Sequence, residues 1–430
     1  MNAQVPPARY AWPVAVALAA AAWYGAGSLR HRRDARDGYE LQGELDVSGP
    51  GFLRAAEALT GAPISHGNEA ELLINGDRIF PAFLETIEQA QRSLCLLTYV
   101  YWSGEVAEQV AGAIMQRARE GVQCRVLLDA VGAYKMDDGL VQRMQEAGVA
   151  VCRFRPPRPY ALGRAANRTH RKVLVADGRV GLIGGVGIAD EWTGDAQDPD
   201  HWRDTHVRVR GPVVRGLFGA FAENWLECTG DVLAGEDDLP ELPELQGGGP
   251  MQVVRSRAGV GDTNVEALYF LAIAAAQESI DLTAAYFAPR PAFSDALCRA
   301  AGRGVGVRVL VPGPHIDKQF VRLAGRASYD ELIDAGVHIF EYQPTMLHAK
   351  AMVVDRHWAS VGSVNFDNRS FKLNDEATLC VQSDAFAGHL TDVFEADLER
   401  SEEIRPGRWR ARGPLQRAQE AALKLGRREL

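Results

Sequence analysis

The pattern His-x-Lys and, after four intervening residues, Asp occurs twice in this chain of 430 residues, at His170, Lys172 and Asp177 and again at His348, Lys350 and Asp355. Each copy sits at the same point of a longer repeat. Ala90 to Tyr101 reads as a helix end and a buried strand, and a helical stretch then leads to Glu120-Gly121-Val122 and the strand Cys124–Asp129. Ala147-Gly148-Val149 precedes a strand ending at Phe154, and the first motif follows. The second half keeps that order. Ala275 to Phe287 is followed by Arg303-Gly304-Val305 with the strand Val307–Val311, then by Ala335-Gly336-Val337 with a strand to Tyr342 and the second motif. Equivalent points stay about 180 residues apart, a period of whole domains rather than of solenoid repeats. Helices that end at glycine before short β-branched strands indicate βα units on a largely parallel or mixed sheet. The length also exceeds one core and suits two units of roughly 150–200 residues. Residues 70–230 and 251–400 read as the two units. Asp231–Pro250 between them is acidic, rich in Pro and Gly, and reads as the connection.

One His-x-Lys is weak evidence, and two unrelated surface pairs are the bland alternative. Two copies at one point of an internal repeat are strong evidence of a site. Residues two apart on a strand share a face, so each His and Lys are expected to point the same way. Gly184-Gly185 and Gly362-Ser363 follow the two motifs and are expected to let backbone approach a ligand.

These residues resemble the phospholipase D superfamily, marked by this duplicated motif followed by Gly-Gly or Gly-Ser, and most closely its bacterial cardiolipin synthase branch. The segments from Asn167 to Lys172, Trp202 to Val207, Pro344 to Lys350 and Gly362 to Ser370 carry the resemblance, with Tyr286-Phe287-Ala288-Pro289 as a loop of the same kind. It spans the chain from about Leu73 to Asp397. It implies an α/β fold of two pseudo-twofold-related α/β/α domains with a mixed sheet. It also implies a phosphatidyl transfer through a phosphohistidine, with His170 as nucleophile and His348 as acid/base. Lys172 and Lys350 would neutralise the nonbridging phosphate oxygens, with Ser363 and Asn365 as further donors. Asp177 and Asp355 belong to the same motif and are expected to support strands and loops. Each imidazole needs a partner on its other nitrogen. Glu376 is expected to orient His348, and Asp204 to orient His170. One departure stands out: Gly187 occupies the place where the family carries a second Asn, so the phosphate grip of the first half is in doubt. Arg322, Arg326 and Tyr329 lie where the family faces its site, and a solvated helix face is the alternative. No metal cluster, nucleotide loop or flavin fingerprint is present, so no metal and no cofactor are expected.

The ends of the chain bear on partners. Tyr10 to Leu29 holds no charged residue, enough to span a bilayer core. Arg30, Arg32, Arg33 and Arg36 follow, so residues 1–40 read as an N-terminal transmembrane anchor on the inner membrane, with the body in the cytoplasm. A cleaved signal peptide is the alternative. Residues 401–430 read as a basic, partly apolar tail, either lying on a membrane or disordered. The formal net charge of −9 argues against nucleic acid as the partner, because gripping a phosphate backbone needs a basic face. Cys95, Cys124, Cys152, Cys228, Cys298 and Cys380 form no CxxC pair and read as reduced thiols. The resemblance, together with the expected anchor, implies a phospholipid substrate, phosphatidylglycerol first, converted to cardiolipin. Hydrolysis or headgroup exchange, a nuclease of the same fold and a non-catalytic lipid-binding scaffold are the alternatives.

Overall fold

The computed structural model describes residues 39–157, 167–258, 262–410 and 412–413. The expected N-terminal anchor and the tail beyond Gly413 lie outside them. Among the described residues no helix is long and apolar enough to cross a membrane.

In the first half the strands are β1 (Ser65–Ile74), β2 (Ser93–Thr98), β3 (Gln123–Asp129), β4 (Ala150–Phe154), β5 (Arg168–Thr169), β6 (Val173–Ala176), β7 (Val180–Gly184) and β8 (Thr205–Arg210). The second half supplies β9 (Gly249–Ser256), β10 (Ser279–Ala284), β11 (Phe287–Ala288), β12 (Gly306–Pro312), β13 (His338–Tyr342), β14 (Lys350–Val354), β15 (Trp358–Gly362), β16 (Phe366–Asp367), β17 (Asn374–Gln382) and β18 (Ser401–Glu403). Outward from the middle, the first half runs β1-β8-β7-β6-β2-β3-β4 and the second β9-β17-β15-β14-β10-β12-β13-β18. The first seven strands of the two series match one for one, and β18 adds an eighth to the second. They meet where β1 and β9 pair antiparallel, so both halves share one mixed sheet.

Helices cover this sheet for local reasons that are easy to read. Glu105–Arg119 carries Glu105 and Glu108 in its first turn and Arg117 and Arg119 in its last, complementing the helix dipole. It buries Val106, Val110 and Ile114 at helical spacing. The four glycines read as helix ends, Gly121, Gly148, Gly304 and Gly336, all adopt φ between 92° and 94°, where a Cβ would be strained.

The arrangement differs from the expected boundaries in four respects. The described residues from Glu40 onward form one compact unit rather than two separable domains, because a buried cluster draws on both halves, from Val173 and Val207 to Val361 and Leu379. The expected linker is strapped down: Asp238 pairs with Arg125 at 2.9 Å, and its backbone passes so close to Gly178 that a Cβ there would clash. The helix Pro50–Thr60, outside both expected domains, packs Phe52 against Trp358 of the second half with ring centroids 5.8 Å apart. At the other end β18 adds to β13 and Trp409 is buried, so the first ten residues of the expected tail belong to the fold. Cys152 and Cys228 form a disulfide between β4 and the end of the helix Val214–Thr229, which corrects the expectation of six reduced thiols.

Candidate active site

Each motif leaves its own half and pairs with the other. Arg168-Thr169 runs parallel to Asn374-Asp375, and the His170 amide donates to the Asp375 carbonyl at 2.8 Å. In the other direction Arg203 bridges Leu347, and the His348 amide donates to the Arg203 carbonyl at 2.7 Å. The residue after each partner is a carboxylate, Glu376 in one case and Asp204 in the other.

This crossing reverses the expected pairing. Nδ1 of His170 lies 3.1 Å from both Glu376 carboxylate oxygens and 3.0 Å from the Ser363 carbonyl. His348 Nδ1 lies 2.7 Å from Asp204 Oδ2. A carboxylate of the same half was expected for each ring, but the backbone pairing delivers the opposite one. The Glu376 and Asp204 oxygens accept, so each imidazole carries its proton on Nδ1 and keeps a lone pair on Nε2.

Both rings and both lysines are at least nine-tenths buried. Burial pushes the His170 pKa down to about 4, with Glu376 opposing and Lys172 assisting. His348 is driven well below its ordinary value by burial and then by Lys350 and Lys172. Lys172 falls to about 7 and Lys350 to about 8, in both cases first because burial penalises the ammonium. Lys350 lowers Lys172 further. Lys172 Nζ donates to the His170 carbonyl at 2.8 Å. Lys350 donates to the His348 carbonyl, and its Nζ is 2.9 and 3.0 Å from the two ring nitrogens of His348. Neutral imidazoles beside two lysines whose ammonium forms burial disfavours make a site suited to an anion such as a phosphodiester, which favours those forms.

The supporting groups differ from expectation. The Ser363 hydroxyl donates to Glu376 rather than standing free for phosphate. Ser370 Oγ donates to Glu376 at 2.8 Å and Asn374 Nδ2 at 3.2 Å, two partners not singled out by sequence, although Ser370 ends one of the segments that carry the resemblance. Asn365 is buried, with its amide bonded to Ser370 Oγ and Oδ1 unpartnered. Asp204 accepts from the Thr205 amide at 2.7 Å and from Trp192 Nε1 at 2.9 Å. Gly185 serves that carboxylate rather than a ligand: a Cβ there would stand 2.2 Å from Asp204 Oδ1. Gly187, where the family carries Asn, leaves room for Val100 and the Trp192 ring. Trp192 in turn stands edge-on to His348 at 5.1 Å, with Trp202 at 5.6 Å and Tyr286 at 6.4 Å.

Asp177 and Asp355 sit at the far ends of β6 and β14, away from the histidines. Asp177 accepts the amides of Gln91, Arg92 and Ser93, and Asp355 those of Gln277, Glu278 and Ser279. They tie strand turns together and take no part in the contacts of the two histidines. Arg322 and Arg326 both bond Glu341 at 2.7 Å, and Tyr329 is buried against Trp409, so none of the three faces the site. Among the described residues no group of three or more His, Cys, Asp or Glu could hold a metal ion.

Comparison with known proteins agrees with this geometry. The family described as "Cardiolipin synthase, PLD-like domain" matches residues 83–196 and 269–398, one stretch in each half. A cardiolipin synthase of Geobacillus is 36% identical over 82% of this chain and 70% of its own length. Cardiolipin synthase 2 of Bacillus anthracis is 35% identical over 87% and 73%. In fold, a phosphatidylserine synthase of Haemophilus influenzae superposes with a TM-score of 0.65 at 13% identity, covering 88% of this chain and all of that one. A polyphosphate kinase of Porphyromonas gingivalis gives 0.54, also at 13% identity, covering 84% and 54%. One matched stretch falls in each of the two halves that meet at the site, the first holding His170 and the second His348 and Glu376, and the chain belongs to the cardiolipin synthase family with phospholipase D-like domains.

Proposed function

We propose that the chain is a phosphatidyltransferase that converts two molecules of phosphatidylglycerol to cardiolipin and glycerol. The observation that carries this reading is the pair of buried imidazoles, each held at Nδ1 by a carboxylate of the opposite half and each followed by a lysine. The phosphodiester anion restores the protonated state of Lys172, Lys350 and His348, which burial and mutual repulsion disfavour in its absence. His170 Nε2 attacks phosphorus, the bond to the headgroup glycerol oxygen breaks, and His348 gives that oxygen its proton. The second lipid's headgroup hydroxyl then gives a proton to His348, its oxygen attacks phosphorus, and the P–N bond breaks to free His170. The ring positions favour this assignment of roles. Glu376 lies below its ordinary pKa despite burial, because His170 and its hydroxyl donors favour the anion. An ionised Glu376 offsets the positive charge of a phosphorylated, Nδ1-protonated imidazole.

Purified protein incubated with phosphatidylglycerol vesicles should release cardiolipin and glycerol in equal amounts. Phosphatidic acid as the only product would make the enzyme a hydrolase, and no product at all would remove the reading. We place the protein on the inner membrane through the apolar run Tyr10–Leu29, with Arg30, Arg32, Arg33 and Arg36 supporting a cytoplasmic body. The Cys152–Cys228 disulfide weighs toward the oxidising face instead. Protease accessibility of intact cells or spheroplasts decides between the two sides.

A further inference from the structure

Two surface segments, one from each half, connect to the site through aromatic rings. The loop after β3 carries Val131, Tyr134 and Lys135, and the loop after β12 ends at Lys318, with Phe320 in the first turn of the helix Gln319–Arg326 that follows. β3 and β12 hold matching positions in the sheet, so the loops are related by the internal repeat. Both connect to the same histidine through aromatic rings. Lys135 Nζ stands 3.9 Å from the Trp102 ring centre, Trp102 packs on Trp192 at 6.2 Å, and Trp192 faces His348. Lys318 Nζ stands 4.8 Å from the Tyr286 ring centre, and Tyr286 faces His348. Lys318 is near enough to lower the pKa of Lys172, His348 and Lys350.

On these segments the chain leaves apolar rings in water. Tyr134 is 70% exposed and Phe320 50%, and Val131 is exposed beside them. The neighbouring acids are locally engaged: Asp137 accepts the Gly139 amide, Asp138 pairs with Arg153, and Asp317 accepts the Tyr286 hydroxyl at 2.8 Å. Each segment therefore sets an exposed aromatic ring next to a lysine, in a chain whose net charge is −9. Aromatic rings seat at the boundary of headgroups and acyl chains, and lysines favour anionic headgroups. The reacting groups are buried, so a diacyl lipid whose chains stay in the bilayer reaches them only if the surface leading to them lies against the membrane. Drawing both chains wholly into water would be strongly opposed by their apolar area.

We infer that these two segments dock on an anionic lipid bilayer, with Tyr134 and Phe320 entering the interface and Lys135 and Lys318 over the headgroups. The inference rests on the lipid-substrate reading above and adds which face meets the membrane. The full chain is mixed with vesicles of equal parts phosphatidylglycerol and phosphatidylcholine, or of phosphatidylcholine alone, and amide exchange is followed by mass spectrometry. Exchange over residues 131–137 and 315–320 should slow by at least about fivefold with the anionic vesicles. Slowing confined to other segments, or the same with both vesicles, overturns the proposal. The second arm compares rates on bilayer vesicles and on dispersed short-chain phosphatidylglycerol. That ratio should fall about tenfold in the Tyr134→Ser/Phe320→Ser double variant and stay unchanged in Leu226→Ser, an exposed apolar residue away from both loops. An unchanged ratio in the double variant overturns it too. If neither substrate form gives product in the wild type, the transfer reading falls, while the exchange measurement still judges the docking face.

Discussion

The two poles of the site come from one repeated motif, yet they hold their histidines by different means. At the His170 pole Glu376 accepts from Ser363, Ser370 and Asn374 as well as from the ring. At the His348 pole Asp204 has one side-chain donor besides the ring, the Trp192 indole, and the walls are Trp192, Trp202 and Tyr286. The electrostatics follow. Burial raises both carboxylates, but at Glu376 the cation-side partners and hydroxyls win, whereas at Asp204 burial wins and its pKa stays raised. A polar cradle stabilises lasting charge, and an aromatic box suits a group that passes a proton back and forth. The internal repeat supplies the symmetry of the backbone, and differences between its copies, such as Gly187 against Asn365, break it.

Removing either ring tests this contrast most severely. His170→Ala and His348→Ala should each lower kcat by about 10⁴-fold or more, and the double variant should be no worse, because the pair acts as a unit. A phosphodiester with a good phenolate leaving group separates the poles. His348→Ala should still release one equivalent of phenol in a burst and accumulate phosphorylated His170, since such a leaving group needs no proton. His170→Ala should show no burst. A burst in His170→Ala and none in His348→Ala would exchange the two roles.

The orienting carboxylates come next. Glu376→Gln and Asp204→Asn keep the shape but weaken control of the tautomer, at a cost of about 10²–10⁴ in kcat. With the phenolate substrate Glu376→Gln should slow the burst, and Asp204→Asn should leave it nearly intact while slowing turnover of the natural lipid. Equal effects on the burst would erase the distinction between the poles.

A pH measurement compares the empty and the filled site. Lys172 and Lys350 titrate near 7 and 8 when the site is empty, and a bound phosphate should return both toward the ordinary lysine range. Between those limits the complex holds more protons than the free enzyme. Inorganic phosphate should therefore bind with proton uptake above pH 8, and more weakly as pH rises, measurable by calorimetry in buffers of different ionisation heat. The sign reverses for stability without ligand: both lysine pKa values are lower folded than unfolded, so the folded state binds fewer protons and stability increases as pH rises from about 7 toward 10. Binding without proton uptake would show that the lysines are already charged.

Much of this was legible in the sequence because it is periodic. The motifs, the four glycine-ended helices and the strands before them recur at one offset, and a repeat is visible without knowing any contact. What crosses between the halves was not legible. Sequence nearness put Asp204 with His170 and Glu376 with His348, whereas the strand pairing of Thr169 with Asp375 and of Arg203 with Leu347 sends each carboxylate to the other ring. The helix Pro50–Thr60 was missed for a similar reason, since its partner Trp358 lies in the other half of the chain. Gly184-Gly185 was read as room for a ligand, but the space is taken by His206 and Asp204. Only the partner's position reveals that, and a one-dimensional pattern does not contain it.

The smallest expected effects set single donors against one another. Trp192→Phe keeps most of the ring against His348 and deletes the N–H that reaches Asp204 at 2.9 Å. Asp204 is already raised by burial, and losing one of its few donors should raise it further and loosen its hold on the ring. A donor to a buried charged group is worth about 1.5–3 kcal/mol, so kcat should fall about tenfold or somewhat more. Ser370→Ala removes a donor from Glu376 too, but Ser363, Asn374 and His170 remain to satisfy that carboxylate. Its loss should be only about two- to threefold, because a crowded acceptor redistributes what a sparse one cannot. Equal losses in the two variants would mean that the donors around Glu376 are not interchangeable, and that the polar pole is as finely set as the aromatic one.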